Sequence, residues 1–126
     1  MNFPENVKYT KDHEWIRIDG GSGWIGITDY AQSELGDVVY IEMPAIGTTI
    51  EQGKSFGTIE AVKAVSDLFA PVTGEITEVN TAIKDHPEQV NKDPYGQGWI
   101  AKVKVADPAQ LSALLDSKAY QALIGK

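Results

Sequence analysis

The stretch Gly57-Thr58-Ile59-Glu60-Ala61-Val62-Lys63-Ala64-Val65-Ser66-Asp67-Leu68-Phe69-Ala70-Pro71-Val72-Thr73-Gly74 decides how this chain is read. Two runs with strand character, Ser55 to Val62 and Ala64 to Ala70, meet at Lys63 with no Gly, Asn or Pro between them. An ordinary hairpin would carry such a residue at its turn. If the chain reverses here, Lys63 stands at or beside the tip, where a long flexible cation is open to a modifying enzyme. The alternative is a continuous strand from which Lys63 points into water, as most lysines do.

Working outward, the segments on either side are also short and β-rich. Glu14, Ile16 and Ile18 alternate with Trp15 and Arg17, a loose turn follows at Asp19 to Gly23, and Trp24 to Ile27 returns. Val38 to Met43 is rich in β-branched and aromatic residues and stops at Pro44, and Thr48 to Glu51 precedes a turn at Gln52-Gly53. Gly74 to Val79 gives a further strand. Trp99, Ala101, Val103 and Val105 alternate with Ile100, Lys102 and Lys104 as a half-buried one. Between them Thr28 caps a short helix through Leu35, with Gly36 in the left-handed position that ends it. The acidic segment from Asp85 to Asp93 reads as a polar surface loop.

After Asp107 the period changes. Asp107, Pro108 and Gln110 read as cap, first helical position and capping-box partner, and Leu111, Leu114 and Leu115 mark one apolar face. Tyr120, Leu123 and Ile124 repeat that spacing. Neither helix is long enough to stand alone in water, so both should lie on the sheet. The expected fold is mainly β, a flattened barrel or sandwich with short C-terminal helices, formed as one domain over residues 1–126.

Composition narrows the function. With 11 Lys and Arg against 18 Asp and Glu, the net charge is −7, and no basic cluster interrupts it. Nucleic acid and anionic lipid are thereby disfavoured, because both need concentrated cations. The chain has no cysteine, so redox sulfur would have to arrive on a cofactor. The first residues lack the features of a secretory or transit segment, and no apolar run approaches the roughly 20 residues that span a bilayer. A cytoplasmic location is expected, although a mitochondrial chain stripped of its transit peptide would look the same.

Active-site chemistry finds little support. His13 and His86 are the only histidines, and His13-Glu14 lacks the second helical histidine of a zinc protease motif, so no metal site is expected. The glycines form no phosphate loop, serine has no nucleophile elbow, and nothing in the sequence brings Glu14 and Glu60 together. Trp15, Trp24 and Trp99 sit in strand patterns and read as core. This leaves Lys63 as a covalent attachment point. A free lysine amine is almost wholly protonated at neutral pH, so a separate enzyme must supply an activated acyl group.

The run Glu60 to Asp67, with Gly74 eleven residues after the lysine, resembles the lipoyl attachment segment of the glycine cleavage system H protein family. The resemblance extends to His13-Glu14-Trp15, to Gly26-Ile27-Thr28-Asp29-Tyr30-Ala31-Gln32 and to Asp93-Pro94-Tyr95-Gly96-Gln97-Gly98-Trp99. Ala61 departs from the serine frequent in the family, a change between two small residues.

The resemblance implies a barrel-sandwich hybrid of the lipoyl-domain kind, a non-catalytic carrier with lipoate on Lys63, and recognition of Glu60 and Gly74 by the lipoylating enzyme. It implies three further partners: a glycine decarboxylase (P protein) that loads the arm with aminomethyl, an aminomethyltransferase (T protein) that unloads it, and a dihydrolipoyl dehydrogenase (L protein) that reoxidises it. It also implies that Glu14 and Asp67, with Asp12 beside them, line a cleft for the cationic end of the loaded arm. A monomer is expected, and a further role relaying lipoyl groups to other complexes is compatible with this one. Two rivals remain open at this point: a biotinyl domain, whose lysine usually has methionine neighbours where Val62 and Ala64 stand here, and an interaction module without a cofactor.

Overall fold

The computed structural model describes all 126 residues. Nine strands form two antiparallel sheets that face each other. The larger sheet holds β1 (Lys8–Tyr9), β2 (Glu14–Asp19), β3 (Ser22–Ile27), β5 (Thr49–Ile50), β8 (Gly74–Val79) and β9 (Ala101–Val105), in the order β1-β2-β3-β9-β8-β5. The smaller holds β4 (Val38–Glu42), β6 (Ser55–Ala61) and β7 (Val65–Phe69), in the order β4-β6-β7. Ile16, Ile25 and Val103 from one sheet meet Ile41, Ile59 and Leu68 from the other in a single apolar cluster. The expected β sandwich is what forms, and no helix is long and apolar enough to cross a membrane.

The larger sheet buries both faces near its start, which explains why Trp15 and Ile16 are consecutive and both inaccessible. Ile16 points into the sandwich, while Trp15 joins Val7, Tyr9 and Tyr120 in a second cluster beneath the C-terminal helix α4 (Ser117–Ile124). Tyr9 and Tyr120 stack there with ring centroids 4.6 Å apart. Simple alternation fails in β2 because both of its surfaces are covered.

Helix α1 (Asp29–Leu35) begins as its capping residue dictates: Thr28 Oγ1 accepts from the Ala31 amide at 3.1 Å. Gly36 ends it with φ 80° but an extended ψ of −158°, so the chain leaves for β4 instead of curling into the left-handed helical turn the sequence implies. The segment read as a polar loop contains a one-turn helix, α3 (Gln89–Lys92), and follows directly on another, α2 (Ala82–Asp85). Their buried residues Ile83 and Val90 belong to the main core, and that contact holds helices far too short to persist alone.

Two further expectations change near the C-terminus and at the tryptophans. Pro108–Ala113 forms a 3₁₀ helix capped by Asp107, whose Oδ1 accepts from Ala109 N at 3.1 Å. Gln110 closes no capping box: its Oε1 accepts from Thr73 N at 2.7 Å and ties this helix to the start of β8. Trp24 and Trp99 are only half-buried. The Trp24 ring lies between Arg17 and Lys102, the latter's Nζ 4.5 Å from the ring centroid, so it is a cation–π partner more than a core residue.

Candidate functional site

β6 and β7 form a hairpin, with Glu60 paired to Val65 and Ile59 to Ser66. The turn closes through the Ala61 amide, which donates to Ala64 O at 2.7 Å, so Val62, Lys63 and Ala64 occupy the tip. None of the three takes a positive φ, which explains how a chain without turn residues reverses here. A second bond, from Val62 N to Asp37 O at 3.0 Å, anchors the tip to the segment between α1 and β4. Lys63 is exposed and makes no ion pair.

The lysine side chain crosses Gly36. A Cβ at Gly36 would stand 3.1 Å from Lys63 Cε, tighter than most such contacts, and 3.7 Å from Nζ, an ordinary one. The platform under the lysine is held from α3. Asn91 Nδ2 donates to Gly36 O at 2.8 Å and to Gln32 Oε1 at 3.1 Å, while its Oδ1 accepts from Val38 N at 2.9 Å. One side chain thus joins the end of α1 to the start of β4. The 85–93 segment, read from sequence as surface, carries the residue that fixes the lysine's support.

Beside the hairpin lies a cavity of about 380 Å³ between the sheet and α1. Its walls include Asp12, Glu14, Glu34 and Asp67 with Ile27, Leu35 and Leu68, and no lysine or arginine. A second cavity of about 310 Å³ shares Asp12 and Glu14 and is otherwise lined by Thr10, Phe69, Pro71 and Leu114 among others. Glu14 stands between the two. Its side chain is 2% exposed, with Oε1 accepting from Thr10 Oγ1 at 2.7 Å and Oε2 from the Phe69 amide at 3.3 Å.

Burial dominates the protonation of Glu14. Loss of water pushes its carboxyl up, the Asp12 charge adds to this, and the Thr10 hydroxyl and Phe69 amide pull it partly back, for a net rise from 4.5 to about 8. At neutral pH Glu14 is therefore held mainly as the neutral acid. Asp67 is different. It is exposed, pairs with Thr58 across the hairpin, and its Oδ1 lies 3.4 Å from Ser55 Oγ.

His13 forms part of the cleft wall and is the only non-glycine residue with positive φ, at 72°. Its Nδ1 lies 2.8 Å from Tyr120 Oη, which in turn lies 2.8 Å from Thr28 Oγ1, the cap of α1. Burial lowers the His13 pKa, and a neutral ring can accept the Tyr120 proton. One hydroxyl on α4 therefore ties together two walls of the cleft.

The structure brings Asp12, Glu14 and Asp67 to the cavity beside the hairpin but keeps the two recognition candidates apart. Glu60 is exposed on β6, paired with Tyr40 of β4. Gly74 opens β8 on the other sheet, paired with Ile50 and Val105. There a Cβ would collide with the Lys104 carbonyl oxygen and lie 2.7 Å from Val103 Cγ2, so close packing of β8 on β9 requires a glycine. Sequence reading missed Asn91, Glu34 and Thr10. Only Glu34 had a signal in the sequence, since it follows Tyr30 by four positions and Ala31 by three, the helical spacing that sets all three along the cleft.

The arrangement offers an unpaired amine at an exposed tip and a nearby acidic, partly dry cleft. It contains no thiol. Comparison with known proteins gives a consistent answer. A family model described as Glycine cleavage H-protein matches residues 7–126. A glycine cleavage system H protein of Bacteroides thetaiotaomicron is 56% identical over 124 residues, covering 98% of both chains. Its counterpart in Chlorobium luteolum is 57% identical over 127 residues, covering 99% of both. The crystal structure of such a protein from Mycobacterium marinum superposes with a TM-score of 0.87 at 41% identity, covering 98% of this chain and 99% of that one. The chain belongs to the glycine cleavage H-protein family.

Proposed function

We propose that residues 1–126 are one carrier domain that bears lipoate on Lys63 and shuttles aminomethyl groups and electrons within the glycine cleavage system, catalysing nothing unaided. The observation that carries this reading is the Lys63 amine, without an ion-pair partner at the tip of a hairpin whose strands line an acidic cleft. The residues present suit the group. Lys63 Nζ takes the acyl carbon: an N–C bond forms, the bond from that carbon to its activating leaving group breaks, and the ammonium protons lost pass to base. Lipoate supplies a disulfide that accepts a one-carbon unit and two electrons, chemistry this cysteine-free chain lacks.

Glu14, with Asp67 and Asp12 at the cleft wall, would then receive the cationic amine of the cargo. A buried neutral Glu14 has a defined part in this. An arriving ammonium favours the carboxylate, so Glu14 gives up its proton on arrival and regains it when the cation leaves. Water exclusion protects the one-carbon unit while it is parked. The proposed partners are the decarboxylase, the aminomethyltransferase, the dihydrolipoyl dehydrogenase and the lipoylating enzyme, for which Glu60 and Gly74 serve recognition. The relatives come from bacteria, so the proposal takes the bacterial cytoplasm as the working compartment; a mitochondrial one has no support among them.

Intact-mass measurement of the chain from its host, with the modified peptide mapped, tests the attachment. A lipoyl mass on Lys63 is expected, a biotinyl mass there would establish the rival carrier, and no addition would remove the proposal. In a reconstituted system Lys63→Arg should abolish glycine-dependent release of carbon dioxide. Full activity of that variant would leave an interaction module.

A further inference from the structure

The strand β4 carries an irregularity that the hydrophobic core does not need. Its register against β6 shifts between Val38 and Tyr40, and the bulge breaks the alternation: Val38 and Ile41 are buried, while the adjacent Val39 and Tyr40 both face water, 49% and 48% exposed. Bulges re-aim side chains and cluster near functional sites. Here the result is two large apolar residues on the outer face of the smaller sheet. Tyr40 pairs with Glu60, which pairs with Val65, itself 67% exposed. Val62, 76% exposed, continues the patch to the tip beside Lys63.

The charges on this face have one sign. Glu42 pairs with Thr58 in the row next to Tyr40-Glu60-Val65, so Glu42 and Glu60 flank the apolar side chains. Neither Glu42 nor Glu60 has an ion-pair partner, and β4, β6 and β7 contain no lysine or arginine. A patch of exposed aromatic and aliphatic side chains ringed by uncompensated carboxylates fits a protein surface with the converse pattern, apolar at its centre and basic at its rim.

Its position says what that protein does. The opposite face of the hairpin is turned inward, Ile59 and Leu68 lying in the core and along the cleft that takes the cargo, and α1 ends beneath Lys63 at Gly36. An enzyme whose catalytic groups must surround Nζ therefore has the outer face left to lie against. We infer that the outer face of the β4-β6-β7 sheet, anchored by Val39, Tyr40 and Val65 and rimmed by Glu42 and Glu60, docks the enzyme that acylates Lys63. This rests on the reading of Lys63 as the lipoyl site. It gives Glu60 a physical role as one acid in an apolar-centred interface, and it adds β4 residues outside the attachment segment.

The test follows acylation of the full chain by a lipoate–protein ligase supplied with lipoate and ATP, read by intact mass. Tyr40→Ser and Val39→Ser are compared with Leu123→Ser, which removes an equally exposed apolar side chain from α4. The β4 variants should lose about tenfold or more in kcat/KM, chiefly through KM, while Leu123→Ser keeps the wild-type rate. Their thermal melts and their acylation by a small activated lipoyl ester, which needs no docking, should be unchanged. Glu42→Lys should slow the enzyme and flatten its salt dependence.

Wild-type rates for the β4 variants with the ligase would overturn the inference. So would losses matched by the small ester, or confined to glycine-dependent turnover, or a wild-type dimer that Tyr40→Ser dissolves. If the ligase leaves wild-type Lys63 unmodified, the carrier reading itself fails, an outcome distinct from these.

Discussion

Replacing Glu14 with glutamine should remove a pH dependence from the stability of the whole chain. The carboxyl moves from 4.5 in the unfolded chain to about 8 when folded, because burial disfavours its charge. Between those values the folded chain holds a proton that the unfolded chain has lost. Stability is therefore fully present below the unfolded pKa and falls as pH rises toward about 8. Across about two pH units, from pH 5 to 7, the loss integrates to roughly 2.5 kcal/mol, which is on the order of 10 °C in Tm for a domain of this size. Glutamine mimics the neutral acid: its oxygen can accept from the Phe69 amide and its nitrogen can donate to Thr10 Oγ1. Glu14→Gln should consequently gain on the wild type by that amount over the interval. Other titrations are common to both chains and cancel. Urea unfolding of the unacylated proteins at several pH values, followed by tryptophan fluorescence, measures the difference directly. Parallel curves would mean that Glu14 is already ionised in the folded chain, and the account of a proton exchanged for the cargo's cation would be wrong.

Two other substitutions probe how the site is supported. Gly74→Ala should cost roughly 1–3 kcal/mol or more, because the obstruction is the Lys104 carbonyl of a neighbouring strand and not a mobile side chain; an unchanged denaturation midpoint would refute the packing role. Asn91→Ala leaves the Val38 amide and Gly36 carbonyl without their partner and should cost about 1–3 kcal/mol, with faster amide exchange at Val38 and Val62 as the local signature; unaltered exchange would show that the lysine's platform does not depend on α3.

Much of this molecule was legible from residue patterns, and the misses share a cause. The strand character on either side of Lys63 and the Thr28 cap were readable because each is decided by a few adjacent residues. The 85–93 segment was not: its helical turn, and the one just before it, are held by Val90 and Ile83 packing into the main core, a contact made across the fold. Gln110 had the spacing of a capping residue yet bonds Thr73, 37 positions away. Trp24 looked like core until Arg17 and Lys102 were placed on its two sides. Glu14 sat in a strand pattern that predicted nothing of its burial, since the lid over it comes from Thr10 and β7. Lys63 itself was identified through family resemblance, and periodicity alone left it as an outward-pointing lysine. The coordinates supply the reversal that periodicity left open.

The tip at residues 62 to 64 reverses with ordinary dihedral angles, held by two main-chain bonds that any L-amino acid except proline can make. A turn built on Asn-Gly would have surrendered both flanking positions to conformational need. Here the neighbours of the lysine answer to no such demand, so natural selection or an engineer can rewrite them to choose which enzyme handles the amine, leaving the scaffold beneath undisturbed.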